Sequence, residues 1–339
     1  MKTLLLIEKG LEPPDTVDGL SDGDVAAFKT EWHVFSALRD DLGHDVLRLP
    51  VWDDVGAVVS AVREFKPDVA FNLLEGFRGF HGFDQHIVAH LELLEQCYTG
   101  CNPRGLVLAR DKALTKKVMA YHRIRCPAFG VFPRGRKVRR PRELAFPLLV
   151  KSVNVEGSCG IAQASVVHDD AQLAERVQFI HDQTNTTAIA EQYVDGRELY
   201  VGVIGNDRLR VLPIWEMLFE HVPDGSPKIA TDRAKWSPAY QKRWGITTRK
   251  AADLPPRVAE RLPPLCKRIY RILGLTGYAR LDFRMTETGD LYLLEANPNP
   301  QIARDEDFAD SARAAGIEYP ALLTDIINLG LRYRPENLH

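Results

Sequence analysis

The chain has 339 residues, which at about 100–200 residues per domain predicts two or three domains with cores of their own. The apolar fraction of 45% and charged fraction of 27% are ordinary for a globular protein, and the near balance of 44 Lys and Arg against 46 Asp and Glu argues against a nucleic-acid or membrane-surface partner. No apolar run reaches the roughly 18–20 residues of a membrane span, and five cysteines predict no disulfide framework, so we expect a cytoplasmic protein.

The first hundred residues alternate between strand and helix patterns. Strands are predicted at 4–7, 45–51, 68–74 and 97–100, and helices at 26–42, 55–65 and 84–94. Such alternation is typical of parallel βαβ units, in which ligands bind beyond the carboxyl ends of the strands. The glycine-rich segment 75–82 follows the third strand and is therefore expected at that edge.

The pattern changes after residue 105. A helix at 106–124, strand pieces within 127–150, a glycine-containing loop at 156–160 and a helix at 170–181 come first. From residue 188 strands predominate, interrupted by a loop-rich stretch at 218–256 and a helix at 256–273. Two final strands, YARLDFRM and DLYLLEANP, are joined by a predicted hairpin turn at 286–290.

The last hairpin carries the clearest chemistry. Because strand side chains alternate with period two, Arg280 and Asp282 share one face, and so do Glu295 and Asn297. The intervening apolar residues then face the other way, and these are Leu281, Phe283, Leu294 and Ala296. Carboxylate and amide oxygens on rigid strands suit a pair of Mg²⁺ ions held against nucleotide phosphates, although an ion-paired, solvated face would use the same residue types.

Three earlier features favour the nucleotide interpretation. Lys151 ends an apolar strand, and the loop after it, with Gly157 and Ser158, offers backbone N–H groups to phosphate oxygens. Glu191 lies at the end of a further apolar strand, and Glu198 follows seven residues later. Main chain near Glu191 could pair with an adenine edge and Glu198 with ribose hydroxyls, and a plain polar strand end is the alternative interpretation.

Together and in this order, six segments resemble the ATP-grasp superfamily, most closely its D-alanine–D-alanine ligase branch. They are CYTG followed by ARDKALTKK, FPLLVKSVNVEGSCG, AEQYVDGRELYV, ATDRAKW, GYARLDF and YLLEANPNP. The resemblance runs from about residue 72 to 297 and implies an α/β ATP-grasp fold after a Rossmann-like parallel-sheet domain. The implied domains are 1–103, a small central lobe at 104–187, and a C-terminal lobe with the magnesium site at 188–339.

The resemblance implies ATP as the nucleotide and gives roles to the matched residues. Lys112 and Lys151 correspond to lysines that contact the α- and β-phosphates and the adenine region, and Glu198 corresponds to the ribose contact. The residues that correspond to the adenine pocket are Glu191, Gln192, Tyr193, Val194 and Leu294.

The resemblance likewise supplies the catalytic and metal-binding roles. Ser158, in the loop that begins at Glu156 and Gly157, closes over the γ-phosphate, and Lys235 reaches the phosphates from a second loop. Arg280 steadies an acyl phosphate and the tetrahedral intermediate. The ligands of two Mg²⁺ ions, which Mn²⁺ can replace, are Asp282, Glu295 as the bridging residue, and Asn297.

The sequence departs from this branch where the amino-acid substrates bind. The N-terminal strand lacks the expected Gly-Gly end and Ser-x-Glu segment, Glu75-Gly76 stands where His-Gly is expected, and Trp236 stands where the family has a tyrosine. Segment 298–304 also differs from the expected Thr-x-Pro-Gly-Met-Thr. The candidate substrate contacts are therefore Glu8, Glu75, Arg78, His81, Trp236, Asn299 and Arg304.

The resemblance implies an ATP-dependent ligase that joins a small carboxylate to an amine, such as an amino acid or short peptide, through an acyl phosphate, and releases ADP and phosphate. The departures favour substrates other than D-alanine with D-alanine. A true D-alanine–D-alanine ligase, and a nucleotide-binding regulator without turnover, are the alternatives. Family members are often homodimers, which this chain is expected to allow.

Two minor patterns have simpler interpretations. His86 and His90, with Cys97 and Cys101 downstream, would permit a zinc site, but a packed structural role is favoured. The basic run at 134–142 is expected to be a solvated hairpin tip rather than an anion-binding surface.

Overall fold

The computed structural model describes residues 1–155, 160–223 and 225–335 and contains three β-sheets. Four residues of the predicted phosphate loop lie outside the described residues, namely Glu156, Gly157, Ser158 and Cys159. Within the described ranges, no helix combines the length and the apolar character that crossing a bilayer requires.

The N-terminal unit is a parallel sheet in the order β2-β1-β3 with helices around it. Its strands are Lys2–Glu8 (β1), Asp45–Val51 (β2) and Val69–Asn72 (β3), and its helices are Asp22–Ala26 (α1), Lys29–Ser36 (α2), Val55–Phe65 (α3) and Asp84–Leu93 (α4). A π-helical turn, Ala37–Asp41, extends α2, and a 3-10 turn, His81–Phe83, precedes α4. The strand predicted at 97–100 is wrong, because that segment forms only one parallel bridge, from Tyr98 to Ala70.

The central unit is a four-stranded antiparallel sheet in the order β4-β7-β5-β6. Its strands are Phe129–Phe132 (β4), Leu148–Ser152 (β5), Val166–Val167 (β6) and Ala188–Gln192 (β7), and its helices are Pro103–Arg110 (α5), Lys112–Tyr121 (α6) and Asp170–Thr184 (α7), with a 3-10 turn at Gln163–Ser165. The single helix predicted at 106–124 is wrong. Asp111 is extended and caps the second helix by accepting a hydrogen bond from the Leu114 N–H, so Lys112 starts a new helix.

The C-terminal unit is a sheet in the order β11-β10-β8-β12-β13, with β9 paired to β8. Its strands are Arg197–Ile204 (β8), Arg210–Val211 (β9), Trp215–Phe219 (β10), Ile246–Lys250 (β11), Tyr278–Met285 (β12) and Leu291–Pro298 (β13). Its helices are Asp232–Trp236 (α8), Pro238–Trp244 (α9), Pro256–Ile272 (α10), Asp307–Ala314 (α11) and Tyr319–Arg332 (α12). The stretch at 218–256 is therefore more ordered than predicted, since it holds two short helices and an edge strand.

Apolar packing joins the units into one body. One buried cluster runs from Leu4 and Leu6 of β1, through Leu106 of α5, to Leu281 and Phe283 of β12. A second runs from Leu5 of β1 to α11 and α12. The catalytic hairpin predicted from the sequence is thus packed against both the N-terminal sheet and the last helices, which fixes its position.

Candidate active site

The hairpin β12–β13 aligns the polar residues of its two strands as predicted. Arg280 is opposite Asn297 and Asp282 is opposite Glu295 in the antiparallel register. After this pair the register shifts, because Phe283 is opposite Leu293 and one extra residue, Leu294, forms a β-bulge. A one-residue bulge reverses which side chains face each side of the sheet.

The bulge corrects one expectation. Leu293, only 1% exposed, occupies the core position that period-two alternation predicted for Leu294. Leu294 instead lines a cleft together with its neighbour Glu295. Placing Leu294 in the apolar packing was therefore wrong.

A buried lysine that the sequence did not single out supports this bulge. Lys116, 1% exposed, donates a hydrogen bond from Nζ to the Leu294 carbonyl at 2.8 Å. Its Nζ also lies 3.4 Å from Glu191 Oε1, and Lys151 Nζ lies 3.3 Å from the same oxygen. Glu191 is thus a buried anion between two lysines from different elements. Lys116 therefore connects helix α6 to the central sheet and to the bulged strand.

We expect Lys116→Met to lower the free energy of unfolding by about 1–3 kcal/mol, because the Leu294 carbonyl and half of the Glu191 ion pair lose their partner. Urea unfolding measures the change. Lys117→Met is the matched control, since Lys117 is exposed on the same helix. This substitution should lower the free energy of unfolding by less than about 0.5 kcal/mol. Equal stabilities of the two variants would contradict the role of Lys116.

A cleft lies between the central and C-terminal sheets. It collects seven residues predicted for the nucleotide and metal site, which are Lys112, Lys151, Glu198, Lys235, Asp282, Leu294 and Glu295. Apolar residues complete its walls, including Leu149 and Ile229. Such a mixture of apolar walls with a few convergent charges is typical of a small-molecule site.

Lysines and carboxylates lie close together in the cleft. Lys112 Nζ lies 3.6 Å from Glu295 Oε2 and donates to the Val155 carbonyl at 2.9 Å. Burial alone would raise the pKa of Glu295, but the charges of the nearby lysines outweigh it and hold that pKa well below its usual range. Asp282 differs, because burial outweighs its pairing with Arg280 and raises its pKa. Glu295 is therefore the more firmly ionised carboxylate.

The oxygen donors fit a magnesium site that phosphate completes. The Asn297 Nδ2 group donates a hydrogen bond to Asp282 Oδ2 at 2.9 Å. The Asn297 amide oxygen is not used in that bond and is therefore available as a ligand for a cation. Two carboxylates and an amide are too few to enclose Mg²⁺, and ranges 1–155, 160–223 and 225–335 hold no group of three His, Cys, Asp or Glu that could bind a metal. Mg²⁺ in such sites takes its remaining ligands from phosphate oxygens and water. His86, His90, Cys97 and Cys101 are among the described residues and form no such group.

Arg280 is held rigidly beside this site. It forms a bidentate pair with Asp282, from Nε to Oδ1 at 2.8 Å and from Nη2 to Oδ2 at 3.0 Å, and its guanidinium lies 4.7 Å from the centre of the Tyr200 ring. Its Nη1 atom is 4.0 Å from Asp307 on α11. The cation predicted to steady the acyl phosphate is therefore positioned by Asp282, one of the predicted metal ligands.

Comparisons with known proteins agree with this geometry. The model of the family "D-ala D-ala ligase C-terminus" matches residues 120–328, which is more than half of the chain. A D-alanine–D-alanine ligase from Rhizorhabdus wittichii is 32% identical over 296 residues, which cover 86% of this chain and 88% of that protein. The chain belongs to the D-alanine–D-alanine ligase family.

Other relatives extend the comparison. The uncharacterised protein y4sG of Sinorhizobium fredii is 30% identical over 311 residues, which cover 88% of this chain and 86% of that one. A crystal structure of the D-alanine–D-alanine ligase from Bacillus anthracis complexed with ATP superposes with a TM-score of 0.76 at 21% identity, covering 99% of both chains. The ATP-grasp fold predicted from the sequence is therefore confirmed.

In this D-alanine–D-alanine ligase family member, the predicted ribose contact is part of a buried network. Arg284 Nη2 donates to Glu198 Oε2 at 2.7 Å, and the Tyr200 hydroxyl donates to Glu198 Oε1 at 2.9 Å. Arg284 also donates to the carbonyls of Gly196 and Lys228. The sequence analysis did not single out Arg284, although its period-two spacing from Asp282 on β12 was a usable signal.

The predicted adenine contacts from 191 to 194 lie at the end of β7 and directly after it. Gln192 is exposed, and the Tyr193 N–H donates to the Pro147 carbonyl at 2.9 Å. Tyr193 lines a neighbouring cleft with Asp195 and Lys228. Val194 is half-buried between these residues and β8, so its role stays a prediction.

The candidate substrate contacts lie mostly at the edge of the N-terminal sheet. Glu8 ends β1, and Glu75 follows β3 and accepts a contact from the His81 ring at its carbonyl, 3.2 Å away. Arg78 has a positive φ of 54° in the same loop. These positions agree with the expected ligand edge of a parallel sheet, and their roles stay predictions.

The other three candidates differ in their surroundings. The Asn299 side chain accepts a hydrogen bond from the Cys101 N–H at 2.8 Å, which ties the end of the hairpin to the N-terminal unit. Arg304 is paired with Asp41 at 2.5 Å and stacks on Tyr319. Trp236 ends α8, directly after the cleft residue Lys235.

An acidic residue that the sequence did not single out lies close to this edge. Glu31, in the first turn of α2, is 8% exposed. Burial, together with the charges of Glu75 and Glu8, raises its pKa from 4.5 to about 7. A buried, ionised carboxylate of this kind opposes folding.

We expect Glu31→Gln to be more stable than the wild type at pH 8, by at most about 3 kcal/mol, and equally stable near pH 4.5. Because the folded-state pKa is raised, the native protein binds more protons than the unfolded chain between pH 4.5 and 7, so wild-type stability falls as pH rises through that window. Urea unfolding of both proteins at the two pH values measures the difference. A difference that does not change with pH would contradict the prediction.

Proposed function

We propose that the protein is an ATP- and Mg²⁺-dependent ligase that joins a carboxylate to an amine and forms ADP and phosphate. The observation that supports this most is the placement of Asp282 and Glu295 in one cleft with Lys112, Lys151 and Lys235. A triphosphate needs cations along its chain and metal ligands near its terminal phosphates, and the cleft supplies both. The metal ligands would be the oxygens of Asp282, Glu295 and Asn297.

The residues have distinct tasks in this reaction. A substrate carboxylate must approach the γ-phosphate of ATP against charge repulsion, and the lysines and Arg280 lower that repulsion. Mg²⁺, when bound, adds positive charge at the terminal phosphates. The carboxylate oxygen bonds to the γ-phosphorus as the bond from that phosphorus to the β-phosphate oxygen breaks, so ADP leaves with the electron pair and an acyl phosphate results. The amine then attacks the carbonyl carbon, the C–N bond forms, phosphate departs with the electrons of the C–O bond, and the amine loses a proton.

Substrates other than D-alanine with D-alanine are part of the proposal. The nucleotide-side residues match the family motifs, whereas the N-terminal edge carries Glu8 and Glu75 where the family has glycine and histidine residues. A carboxylate and a neutral or cationic imidazole select different ligands. The change of charge at this edge supports a change of substrate.

The test is an assay of ADP and phosphate release with ATP, Mg²⁺ and pairs drawn from a panel of D- and L-amino acids, short peptides and amines. Release that depends on both a carboxylate and an amine, with amide product identified by mass spectrometry, is expected. The highest rate with D-alanine alone would instead identify a D-alanine–D-alanine ligase. Tight ATP binding without ADP from any pair would identify a nucleotide-binding regulator and overturn the ligase proposal.

A further inference from the structure

Two buried lysines of helix α6 contact the catalytic hairpin in different ways. Lys112 and Lys116 are four residues apart, which places them on one face of the helix, and they are 5% and 1% exposed. Lys112 Nζ lies 3.6 Å from the Glu295 carboxylate, whereas Lys116 Nζ donates a hydrogen bond to the main-chain carbonyl of Leu294 at 2.8 Å. The helix therefore contacts two consecutive residues of β13, one through its side chain and one through its main chain.

The main chain of β13 is held on the helix side at the bulge. The register shift between Asp282 and Phe283 passes over Leu294. The Leu294 carbonyl accepts the hydrogen bond from Lys116, and the N–H of Leu293 donates to the Arg125 carbonyl, just beyond α6, at 2.9 Å. These bonds fix the bulge directly before Glu295, one of the predicted metal ligands.

The position of the bulge decides which way Glu295 points. Side chains alternate along a strand, so a bulge moved by one residue along β13 would turn Glu295 to the opposite face of the sheet. In the observed register Glu295 is opposite Asp282, and both residues line the cleft. The hydrogen bond to the Leu294 carbonyl therefore helps to keep the two carboxylates together.

Lys116 itself lies behind the cleft. Lys112, Lys151 and Leu294 line the cleft, but Lys116 is not among the described residues that do so. Its charge is compensated on the central sheet, where its Nζ lies 3.4 Å from Glu191 Oε1. Any effect of Lys116 on a ligand in the cleft must therefore pass through the groups that it holds.

We propose that Lys116 is a positioning residue of the metal site, which holds the bulge at Leu294 and so orients Glu295 toward Mg²⁺. The inference rests on the proposed function, since this Mg²⁺ is the one that the ligase reaction would use. Groups that orient a metal ligand typically change metal affinity by about 10–100-fold when they are removed. Lys116 holds the residue directly before the ligand, so we expect an effect of this size.

ATP binding with and without metal tests the proposal and requires no turnover. ATP is titrated into the full chain by calorimetry, once with saturating Mg²⁺ and once in EDTA, and the ratio of the two affinities measures what the metal site adds. Mg²⁺ should strengthen binding to the wild type, and Lys116→Met should reduce that strengthening about tenfold or abolish it. Lys117→Met, an exposed position on the same helix, should keep the wild-type ratio. An unchanged ratio in Lys116→Met would overturn the proposal.

Hydrogen exchange of the metal-free protein tests the route through the bulge. In Lys116→Met, the amides of β13 should exchange about tenfold faster or more than in the wild type, because the bulge loses its support. The amides of α12 should change less, since that helix is remote from Lys116. Unchanged exchange in β13, or equal acceleration in both segments, would show a role in overall stability alone and would overturn the proposal.

A second variant keeps the test decisive if Lys116→Met does not fold. Lys116→Met combined with Glu191→Gln removes both charges of the buried pair, so the Leu294 carbonyl still loses its donor while Glu191 is no longer an ionised group without Lys116. The affinity ratio of this double variant should be reduced as in Lys116→Met. A wild-type ratio would overturn the proposal.

The two proposals fail separately. ADP release by the wild type in the substrate panel decides whether the protein is a ligase, and the affinity ratios decide whether Lys116 positions the metal site. ADP release with an unchanged ratio in Lys116→Met would leave the ligase and refute the role of Lys116. A reduced ratio without ADP release from any pair would refute the ligase and retain Lys116 as a positioning residue of a metal–nucleotide site.

Discussion

Glu295→Gln should lower the rate of ADP release by about 10³-fold or more while leaving the fold intact, since a metal ion contributes several kcal/mol of transition-state stabilisation. The carboxylate faces the lysine-lined cleft, and its lowered pKa keeps it ionised at any working pH. The amide has the same shape but no charge, so it cannot bridge two cations. Lys112 keeps its hydrogen bond to the Val155 carbonyl, which preserves the local structure.

Metal binding can be measured without knowing the substrate. Electron paramagnetic resonance titration with Mn²⁺ in the presence of ATP should show at least one ion bound to the wild type and weaker binding by Glu295→Gln. Glu287→Gln, at the exposed turn of the same hairpin, is the matched control and should behave as the wild type. Near-normal ADP release by Glu295→Gln would show that the two-metal assignment is wrong.

The periodicity of apolar residues in the sequence predicted most of the fold. The second strand and third helix, Asp45–Val51 and Val55–Phe65, begin and end where they were predicted, because alternating and helical apolar patterns there are uninterrupted. The helix break at Asp111 was missed because its cap is a local choice of one side chain. The strand at 97–100 was predicted but does not form, because strand pairing depends on a distant neighbour, and here that neighbour makes a single bridge.

In the candidate site, too, features set by neighbouring residues were predictable, and features set by residues far apart in sequence were not. The faces of Asp282 and Glu295 follow from alternation alone, so they were predictable. The bulge at Leu294 was not predictable, because the Leu294 carbonyl accepts a hydrogen bond from Lys116, which is 178 residues away in sequence. Glu31 was not predicted for a similar reason, since the residues whose charges raise its pKa, Glu8 and Glu75, are distant from it in sequence.

Arg284→Leu should lower the free energy of unfolding by about 3–5 kcal/mol, the cost of removing one partner from a buried ion pair. Arg284 is 4% exposed and Glu198 is 6% exposed. Without the guanidinium, Glu198 keeps, among the described residues, only the hydrogen bond from the Tyr200 hydroxyl, and the carbonyls of Gly196 and Lys228 each lose a donor at 3.0 Å. Urea unfolding measures the loss.

A double-mutant cycle separates the energy of the Arg284–Glu198 ion pair from the energy of packing the two side chains. Adding Glu198→Leu to Arg284→Leu removes the uncompensated charge, so the double variant should be more stable than Arg284→Leu alone. Arg313→Leu is the control for a solvent-exposed ion pair, since the Arg313 side chain is 57% exposed in its pair with Asp310. This substitution should lower the free energy of unfolding by less than about 1 kcal/mol. Glu198 also lines the cleft. Loss of Arg284 should therefore weaken ATP binding as well, because the Glu198 carboxylate is no longer held in its position. A loss in Arg284→Leu as small as that of Arg313→Leu would mean that the pair does not hold Glu198 in place.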